Sequence, residues 1–476
     1  MIKIINCKFL YIFLLSIVFV WVLTGCSRQK PVEHINLAIP YSDNVQDYDS
    51  NYYIKWLEEK TGVDIDVTVI RNTRSDEYLN TFFSSDTDID AVLFGGDFTV
   101  DEETIASYIN KPVVDSASLY YSNSGLSKSS GCGQVLWINS SWLSNLNLSV
   151  PSNTEELYNV LLNFKTKDPN GNGINDELPL VGNVDEYEFN PMIYILNSYI
   201  YTDPYHSYHY MDNDVELFAP TDKAYREGVS FCSRLYKDEL LDKITFECSR
   251  EELSELVNSP VNIVGAFTTD SIADVIYQDN PEIMAKYIHV PPLSGPAGTC
   301  NALYREYKPS VGALINYRSK HYDSVKKVLD TMMTTEASLI ARYGQEGVDW
   351  EFAKEWDVGI YGAAATIVTK NYIWNTRQNK HLSGIGPMNV PDEYLSGVTW
   401  NGVNSDTEYI DARAKTRYED YFPKKISGHK EDSELNSYID NMLESFVKGD
   451  MDVNDEKNWN DYCNYIDRNF ADKLRQ

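Results

Sequence analysis

For a chain of 476 residues, the sequence is poor in glycine, proline and cysteine, with 25 Gly, 18 Pro and 7 Cys. This composition excludes collagen-like and disordered chains, and the length excludes a small scaffold stapled by disulfides. Basic residues are also scarce, with 41 Lys and Arg against 71 Asp and Glu. Because such an acidic chain repels phosphate backbones, we expect no nucleic-acid partner. The length predicts two or three domains with large cores.

The sequence contains no nucleophile elbow, phosphate-binding glycine loop or internal repeat. His206 and His209 stand three residues apart, which alone is weak evidence for a catalytic metal. A surface glycoside hydrolase would need two carboxylates about 5 to 10 Å apart across a cleft. The abundance of acidic residues leaves that alternative open, but we predict that the protein is not an enzyme. The 35 tyrosines favour surfaces that bind ligands with both apolar and hydroxylated faces.

The first 33 residues have the pattern of a targeting segment followed by a lipidation site. Lys3 and Lys8 precede an apolar run over 9–23, which is followed by Thr24-Gly25-Cys26. The run is short for a membrane-spanning helix, which needs roughly 20 residues, so we predict a signal peptide over 1–25 and a polar tether over 26–33. The sequence Leu-Thr-Gly-Cys is similar to a bacterial lipobox, which implies lipidation of Cys26 and anchoring at the outer face of the cell membrane. The alternative is an uncleaved signal anchor.

Strands and helices alternate from Ile35 onward, with strands predicted at 35–40, 65–69 and 91–94. Gly62 is placed to end the first helix in the left-handed conformation. The alternation predicts an α/β fold with a mostly parallel sheet. Ligands of such sheets lie beyond the carboxyl ends of the strands. The residues nominated by this rule are Tyr41, Asp97 and Phe98.

A second lobe begins near Gln134, where the pattern restarts. Ser152 and Glu155 predict a capping box that opens a helix. A strand over Val261–Phe267 nominates Asp270 as a further ligand contact beyond its carboxyl end. The last forty residues or so have helical spacing. We predict lobe 1 over 34–135 plus about 309–375, and lobe 2 over 136–308 plus about 376–476.

The cysteines that remain after Cys26 form an odd and scattered set, Cys132, Cys232, Cys248, Cys300 and Cys463. Such a set does not make a disulfide framework and favours buried free thiols. Pairing of Cys232 with Cys248 remains an alternative.

The segment 168–177 has the spacing of a calcium loop. Oxygen-bearing side chains occupy positions one, three, five and nine, Gly173 occupies position six, and the carbonyl of Ile174 stands at position seven. These oxygen ligands are Asp168, Asn170, Asn172 and Asp176. Pro179 stands where an EF-hand has its closing Glu, so the loop departs from that motif. The spacing predicts a structural Ca²⁺ site, and the alternative is an Asn- and Gly-rich turn that caps its own backbone.

Several longer motifs carry a resemblance to a known family. They are Trp142-Leu143-x-x-Leu146, Phe164-Lys165 followed by the loop 168–179, Pro291-Pro292-Leu293-Ser-Gly295-Pro296, Tyr343-Gly344-x-Glu346-Gly347-Val-Asp349-Trp350 and Trp459-x-x-Tyr462. The chain resembles the extracellular solute-binding lipoproteins of bacterial carbohydrate ABC importers, family 1, in the subgroup that includes LplA-like and alginate-oligosaccharide-binding proteins.

The resemblance implies a two-lobed, periplasmic-binding-protein-like (type II) fold with a hinge, an interlobe cleft and a helical C-terminal portion. It implies capture of a carbohydrate, in particular an oligosaccharide, and delivery to the permease subunits of the importer. It also adds Glu177 to the calcium ligands. We expect a monomer. The segment 129–134 departs from the family pattern, so the identity of the ligand does not transfer. The alternative is that the protein binds or senses a glycan at the cell surface and takes no part in transport.

A sugar-binding cleft needs aromatic faces as well as polar side chains, because rings stack on the apolar face of a sugar. The region 344–403 is irregular and holds four aromatic candidates. They are Trp350, Tyr361, Trp374 and Trp400. We expect at least one of them to contact the ligand.

Overall fold

The structure is a computed structural model. It describes residues 33–42, 44–71, 78–79, 82, 87–95, 98, 100, 105, 119–123, 131–277, 280–305, 309–355, 357, 359, 364–370, 377–382, 384–391, 393–394, 398–400 and 418–474. The chain divides into two compact units. Unit 1 is Met1–Ser122, Ser310–Gly344 and Arg377–Asn389, and unit 2 is Asn123–Pro309, Gln345–Thr376 and Val390–Gln476.

Strands and helices alternate along much of the described chain. The strands are β1 (Glu33–Pro40), β2 (Val63–Ile70), β3 (Ala91–Leu93), β4 (Leu119–Ser122), β5 (Val135–Asn139), β6 (His209–Asp212), β7 (Val215–Phe218), β8 (Ala266–Thr269), β9 (Tyr287–Val290), β10 (Ser310–Ile315), β11 (Trp350–Phe352), β12 (Ile367–Thr369) and β13 (Val398–Trp400). The helices are α1 (Tyr52–Thr61), α2 (Ser140–Leu146), α3 (Thr154–Thr166), α4 (Pro191–Leu196), α5 (Lys223–Lys237), α6 (Arg250–Val257), α7 (Pro281–Met284), α8 (Tyr322–Met332), α9 (Thr335–Tyr343), α10 (Ser433–Lys448) and α11 (Glu456–Asn469).

Unit 1 is built on a five-stranded sheet with the order β2-β1-β3-β10-β4. Strand β1 runs parallel to β2 and to β3, whereas β10 runs antiparallel to β3 and to β4. The carboxyl ends of β1, β2 and β3 therefore share one edge of the sheet. Helix α1 begins where the side chain of Asn51 accepts a hydrogen bond from the Tyr53 N–H, and it ends at Gly62 with φ 66°. The predicted left-handed stop is confirmed.

Gly95 follows β3 and lies against the backbone of a distant segment of unit 1. Its φ is 144°, and a Cβ at this position would lie 1.9 Å from the carbonyl oxygen of Gly384. Backbone cannot yield as a flexible side chain can, so only glycine fits there.

We expect Gly95→Ala to lower the free energy of unfolding by about 2 kcal/mol, because the added methyl group forces the two backbones apart. Gly62→Ala is the matched control, since Gly62 also has a positive φ but has nothing within 4 Å of a Cβ. The control should cost about 1 kcal/mol, which is backbone strain alone. Urea unfolding of both variants measures the difference, and equal costs would contradict the close approach at Gly95.

Unit 2 contains an antiparallel sheet with the order β8-β5-β9, and all five residues of β5 are buried. The helix predicted after Pro151 is present as α3, but its capping differs from the prediction. Asn153 accepts the Glu156 N–H, and the Glu156 carboxylate accepts the Ser152 N–H and hydroxyl. The predicted box of Ser152 and Glu155 is therefore wrong by one residue, because the Asn side chain reaches the third helical N–H and takes the capping position.

The division into units differs from the predicted lobes over 123–135, which belongs to unit 2, and in the region 345–389. Strand β11 pairs with β12, and β12 pairs with β13 of unit 2, which attaches 345–376 to that unit. Gln378, Ile385 and Met388 instead form backbone bridges to β-structure or loops of unit 1. Elsewhere the predicted lobe boundaries stay a prediction.

Two further observations concern membranes and thiols. Within the described part of the chain, none of the helices combines the length and the apolar character that a membrane crossing needs. Cys232 and Cys248 are both buried and free, and the Cys248 thiol donates to the carbonyl of Gly182 at 3.1 Å. The interpretation as buried free thiols therefore holds for these two residues.

Candidate functional site

The shared strand edge of unit 1 presents Tyr41, which follows β1 directly. Its side chain is exposed, and its backbone N–H donates to the carbonyl of Ile70 at the end of β2. The Arg71 guanidinium carbon lies 4.8 Å from the centre of the Tyr41 ring. Close by, the Tyr48 hydroxyl donates to the Pro40 carbonyl and accepts the Ser42 N–H, and burial raises the pKa of that hydroxyl. An aromatic face and a cation are thus held at the edge that the strand-end rule selects.

Two predicted ligand contacts are packed into cores instead. Phe98 is 2% exposed and stacks on Phe94 with the ring centres 5.4 Å apart. Trp350 is 3% exposed and meets Phe352 edge to face at 5.4 Å. Sequence spacing does not reveal this burial, and a ring that is almost fully buried has little surface left for a sugar to stack on.

Four other predicted positions cannot be placed in full. Asp97, Tyr361 and Trp374 lie outside the described residues, as does the side chain of Trp400, whose backbone ends β13. Cys26 also lies outside them.

Asp270 follows β8 and lies near a polar network in unit 2. The Tyr205 hydroxyl donates to the Glu188 carboxylate at 2.6 Å, and a guanidinium nitrogen of Arg305 donates to the same carboxylate oxygen at 2.6 Å. The Arg305 guanidinium carbon also lies 5.1 Å from the centre of the Tyr205 ring. We call Glu188, Tyr205, Asp270 and Arg305 the Arg305 network.

The charged groups of this network change the pKa values of their neighbours. Burial, and next the negative charge of Glu188, raises the pKa of Tyr205 well above its usual value, and Asp270 acts in the same direction. Arg305 opposes them. Burial also raises the pKa of Glu431, while Arg305 lowers it. The network therefore includes one guanidinium that already has a carboxylate partner, with further carboxylates nearby.

A groove of about 780 Å³ lies close to the network in unit 2. Its lining includes Tyr201, whose hydroxyl donates to Asp203 at 3.3 Å and accepts the N–H of Tyr304, the residue before Arg305. Tyrosines, acids and amides predominate in the rest of the lining, which includes Tyr199, Tyr210, Asp212, Asn213, Asp214, Asp222 and Asn301. The volume is in the range of known ligand pockets, about 300 to 1,000 Å³.

Sequence reasoning nominated Asp270 but missed Glu188, Tyr205 and Arg305. These three come from separate segments that no periodicity connects. Tyr205 stands in the Tyr-rich stretch that includes His206, and this local composition was the only sequence signal available.

The loop 168–177 is folded around its own oxygen atoms. The Asp168 carboxylate accepts the N–H groups of Asn172 and Gly173 at 3.1 and 3.0 Å. The Asn172 side chain donates to both oxygens of Asp176 at 3.1 Å and accepts the Ile174 N–H at 2.7 Å. The side chains predicted as ligands thus converge on a single turn, as both the calcium interpretation and the self-capping alternative require.

Glu177 distinguishes the two interpretations. Both of its carboxylate oxygens are buried without a hydrogen-bond partner. Burial raises the pKa of Glu177, the charges of Asp176 and Asp168 raise it further, and the nearby backbone N–H groups of Glu177 and Asp176 lower it in part. A buried carboxylate without a donor costs free energy that a cation would offset. The residues therefore fit a calcium ion. Within the described residues no three His, Cys, Asp or Glu side chains form a metal cluster, so the site would also need the Asn and carbonyl oxygens.

Part of the chain is similar in sequence to a known transport protein. None of the protein-family models matches it. It is 38% identical over 116 residues to the fructooligosaccharide ABC transporter substrate-binding protein FusA of Streptococcus pneumoniae, a match that spans 24% of this chain and 21% of that protein.

Two solved structures match nearly the whole chain. One is the S. pneumoniae FusA EF-hand mutant in complex with fructo-nystose, with a TM-score of 0.64 at 19% identity, covering 93% of this chain and 97% of the other. The second is an HMO-binding, ABC-transporter-associated solute-binding protein from Bifidobacterium longum infantis, with a TM-score of 0.68 at 17% identity, covering 94% and 98%. The predicted α/β fold is confirmed, and the chain has the fold of the extracellular solute-binding proteins of ABC transporters. The prediction of a mostly parallel sheet is wrong, because β10 returns antiparallel in unit 1 and β8 and β9 both run antiparallel to β5 in unit 2.

Proposed function

We propose that the protein is the substrate-binding component of a carbohydrate ABC importer, which captures an oligosaccharide and releases it unchanged to the permease. The match that carries this proposal is the one to FusA, which combines local identity of 38% with the same fold over almost the whole chain. The composition, with its 35 tyrosines, is in keeping with it. The protein acts outside the cytoplasm, anchored through lipidated Cys26.

The chemistry of both strand edges suits a sugar. Tyr41 offers an exposed ring, and Tyr205 lies under Arg305 in a network of hydrogen bonds. Rings stack on the C–H faces of sugars, while carboxylates and guanidinium groups bond the hydroxyls, since a buried hydroxyl without a partner costs about 1 to 3 kcal/mol. Side chains already held by hydrogen bonds lose little entropy on binding.

Two units with discontinuous sequence support a hinge. The chain passes between the units several times, because each consists of three separate segments. Segments of this kind can absorb a change of angle when a solute is enclosed, and the closed form is the one that a permease can distinguish.

Calcium belongs to this function as a structural ion. Asp168, Asn170, Asn172, the carbonyl of Ile174, Asp176 and Glu177 would hold it, and the ion would neutralise carboxylates that otherwise repel one another. The structure named for an EF-hand mutant of FusA supports the proposal, since it indicates a related loop in that protein.

A thermal-shift screen over an oligosaccharide panel tests the proposed function. We expect at least one neutral oligosaccharide to raise the melting temperature by several degrees, since a ligand at a hundred times its dissociation constant stabilises by about 2.7 kcal/mol. The oligosaccharide should be recovered intact after long incubation. Shortened products would instead favour the glycoside hydrolase alternative, and no shift with any glycan would contradict the proposal.

A further inference from the structure

The charge around the Arg305 network restricts which glycans the site can accept. Arg305 is the cation of the network, and its guanidinium already donates to Glu188 at 2.6 Å. The Glu188 side chain is only 13% exposed, so the ion pair is shielded from water on one side. A pair of this kind presents little net positive charge to a ligand.

The neighbouring groups make the surroundings negative. Asp270 acts on Tyr205, and Glu431 and Asp203 act on each other beside Arg305. Among the described residues His206 also acts on Glu431, and its Nδ1 lies 2.8 Å from the Asp203 carboxylate. Each basic group that acts on this network thus has a carboxylate within hydrogen-bond distance.

The groove close to the network has a similar balance. Asp212, Asp214 and Asp222 line it together with Lys424 and Lys425, and Lys425 pairs with Asp214. The chain as a whole carries a formal net charge of −30, so the long-range field also repels anions.

We propose that unit 2 selects uncharged oligosaccharides and rejects those that carry carboxylates, such as uronate oligomers, because Glu188 occupies the guanidinium that an acidic sugar would need. This inference rests on the proposed function and adds the substrate class to it. Selectivity arises from repulsion as much as from attraction. Neutral hydroxyls can donate to Glu188 and Asp270, whereas a sugar carboxylate has no proton to donate at neutral pH.

Calorimetric titrations with two sets of glycans of matched length test the proposal. The neutral set contains fructo-, manno- and xylo-oligosaccharides, and the acidic set contains alginate and galacturonate oligosaccharides. We expect binding by one or more neutral glycans at least tenfold tighter than by any acidic one. If acidic glycans bind as tightly as neutral ones, the proposed selectivity is wrong but the proposed function stands. If no glycan of either set binds, the proposed function itself is wrong.

Glu188→Gln tests whether the Arg305 network is responsible for the selectivity. The variant removes the negative charge of one carboxylate partner of Arg305 and makes the network less negative, so we expect acidic glycans to gain affinity about tenfold relative to neutral ones. Glu155→Gln is the matched control: Glu155 pairs with Arg234 at 2.7 Å, and Arg234 stacks on Tyr158 at 3.7 Å, which reproduces the same three residue types on α3 and α5.

The control should leave the ratio of the two affinities unchanged, and an equal change in both variants would overturn the role of Glu188. Arg305→Gln is a second variant, which tests the proposal even if Glu188→Gln does not fold. Because it removes the cation, acidic glycans should gain nothing. A tenfold gain in that variant would also overturn the proposal.

Discussion

Calcium is expected to raise the melting temperature of the protein strongly, and EDTA is expected to reverse the effect. At a calcium concentration a thousand times the dissociation constant, the stabilisation is about 4 kcal/mol. The physical reason lies in Glu177, whose two carboxylate oxygens are buried without a donor beside the charges of Asp168 and Asp176. An ion in the loop supplies the positive charge that these groups lack.

Glu177→Gln should reverse the order of stability between the two conditions. In EDTA the variant should melt above the wild type, because it carries one buried charge fewer, whereas in calcium it should melt below. Glu255→Gln, on the exposed side of α6, is the control and should change neither result. Calorimetric melts with and without EDTA measure the effect, and identical melts of the wild type in both conditions would refute the calcium site.

Stability is expected to depend on the protonation of Asp440, a buried carboxylate in α10. Burial raises its pKa from the usual value of 3.8 to about 6, although the hydroxyls of Tyr208 and Tyr187 donate to it. Because the folded state binds this proton more tightly than the unfolded chain, its contribution is complete below pH 3.8 and is lost as the pH rises through about 6. The difference of roughly two pH units corresponds to about 3 kcal/mol.

The comparison of Asp440→Asn with the wild type isolates this contribution. The stability of the wild type relative to the variant should fall by about 3 kcal/mol between pH 4 and pH 7. His209 has the opposite sign, since burial and the stacked His429 lower its pKa, so it costs stability as the pH falls below 6.5. Taking the difference between the two proteins cancels that background. Asp450→Asn, exposed after α10, is the control, and a difference that does not change with pH would show that Asp440 is not protonated in the folded state.

The sequence was most informative where local signals agree with burial. Gly62 was expected to end the first helix in the left-handed conformation, and α1 has this stop. The strand predicted at Val261–Phe267 lies closer to the carboxyl terminus in the structure, where β8 spans Ala266–Thr269. Register depends on pairing with β5, which no local pattern specifies.

The antiparallel course of β10 was another feature that local patterns could not supply. This strand enters the sheet of unit 1 after the chain has passed through unit 2, and its direction depends on where the chain returns. Capping also depends on competition between neighbours, as Asn153 took the position predicted for Ser152.

In the candidate site, too, local sequence patterns predicted some features, while others depend on contacts between distant parts of the chain. Strand-end reasoning nominated Tyr41 and Asp270, because the carboxyl end of a strand is a local property, and their contact with a ligand stays a prediction. It also nominated Phe98, whose ring is buried on Phe94, since exposure depends on contacts that sequence spacing does not give. Glu188 and Arg305 are 117 positions apart, so only the folded chain reveals their ion pair.

The central claim is that the protein binds a neutral oligosaccharide and returns it unchanged. Isothermal titration of the purified protein with the best glycan from the screen, followed by chromatography of the recovered sugar, tests it most directly. We expect one bound glycan per chain with micromolar or tighter affinity and a recovered sugar of the original length. A titration without heat or thermal shift for every glycan, or a recovered sugar that has been cleaved, would contradict it.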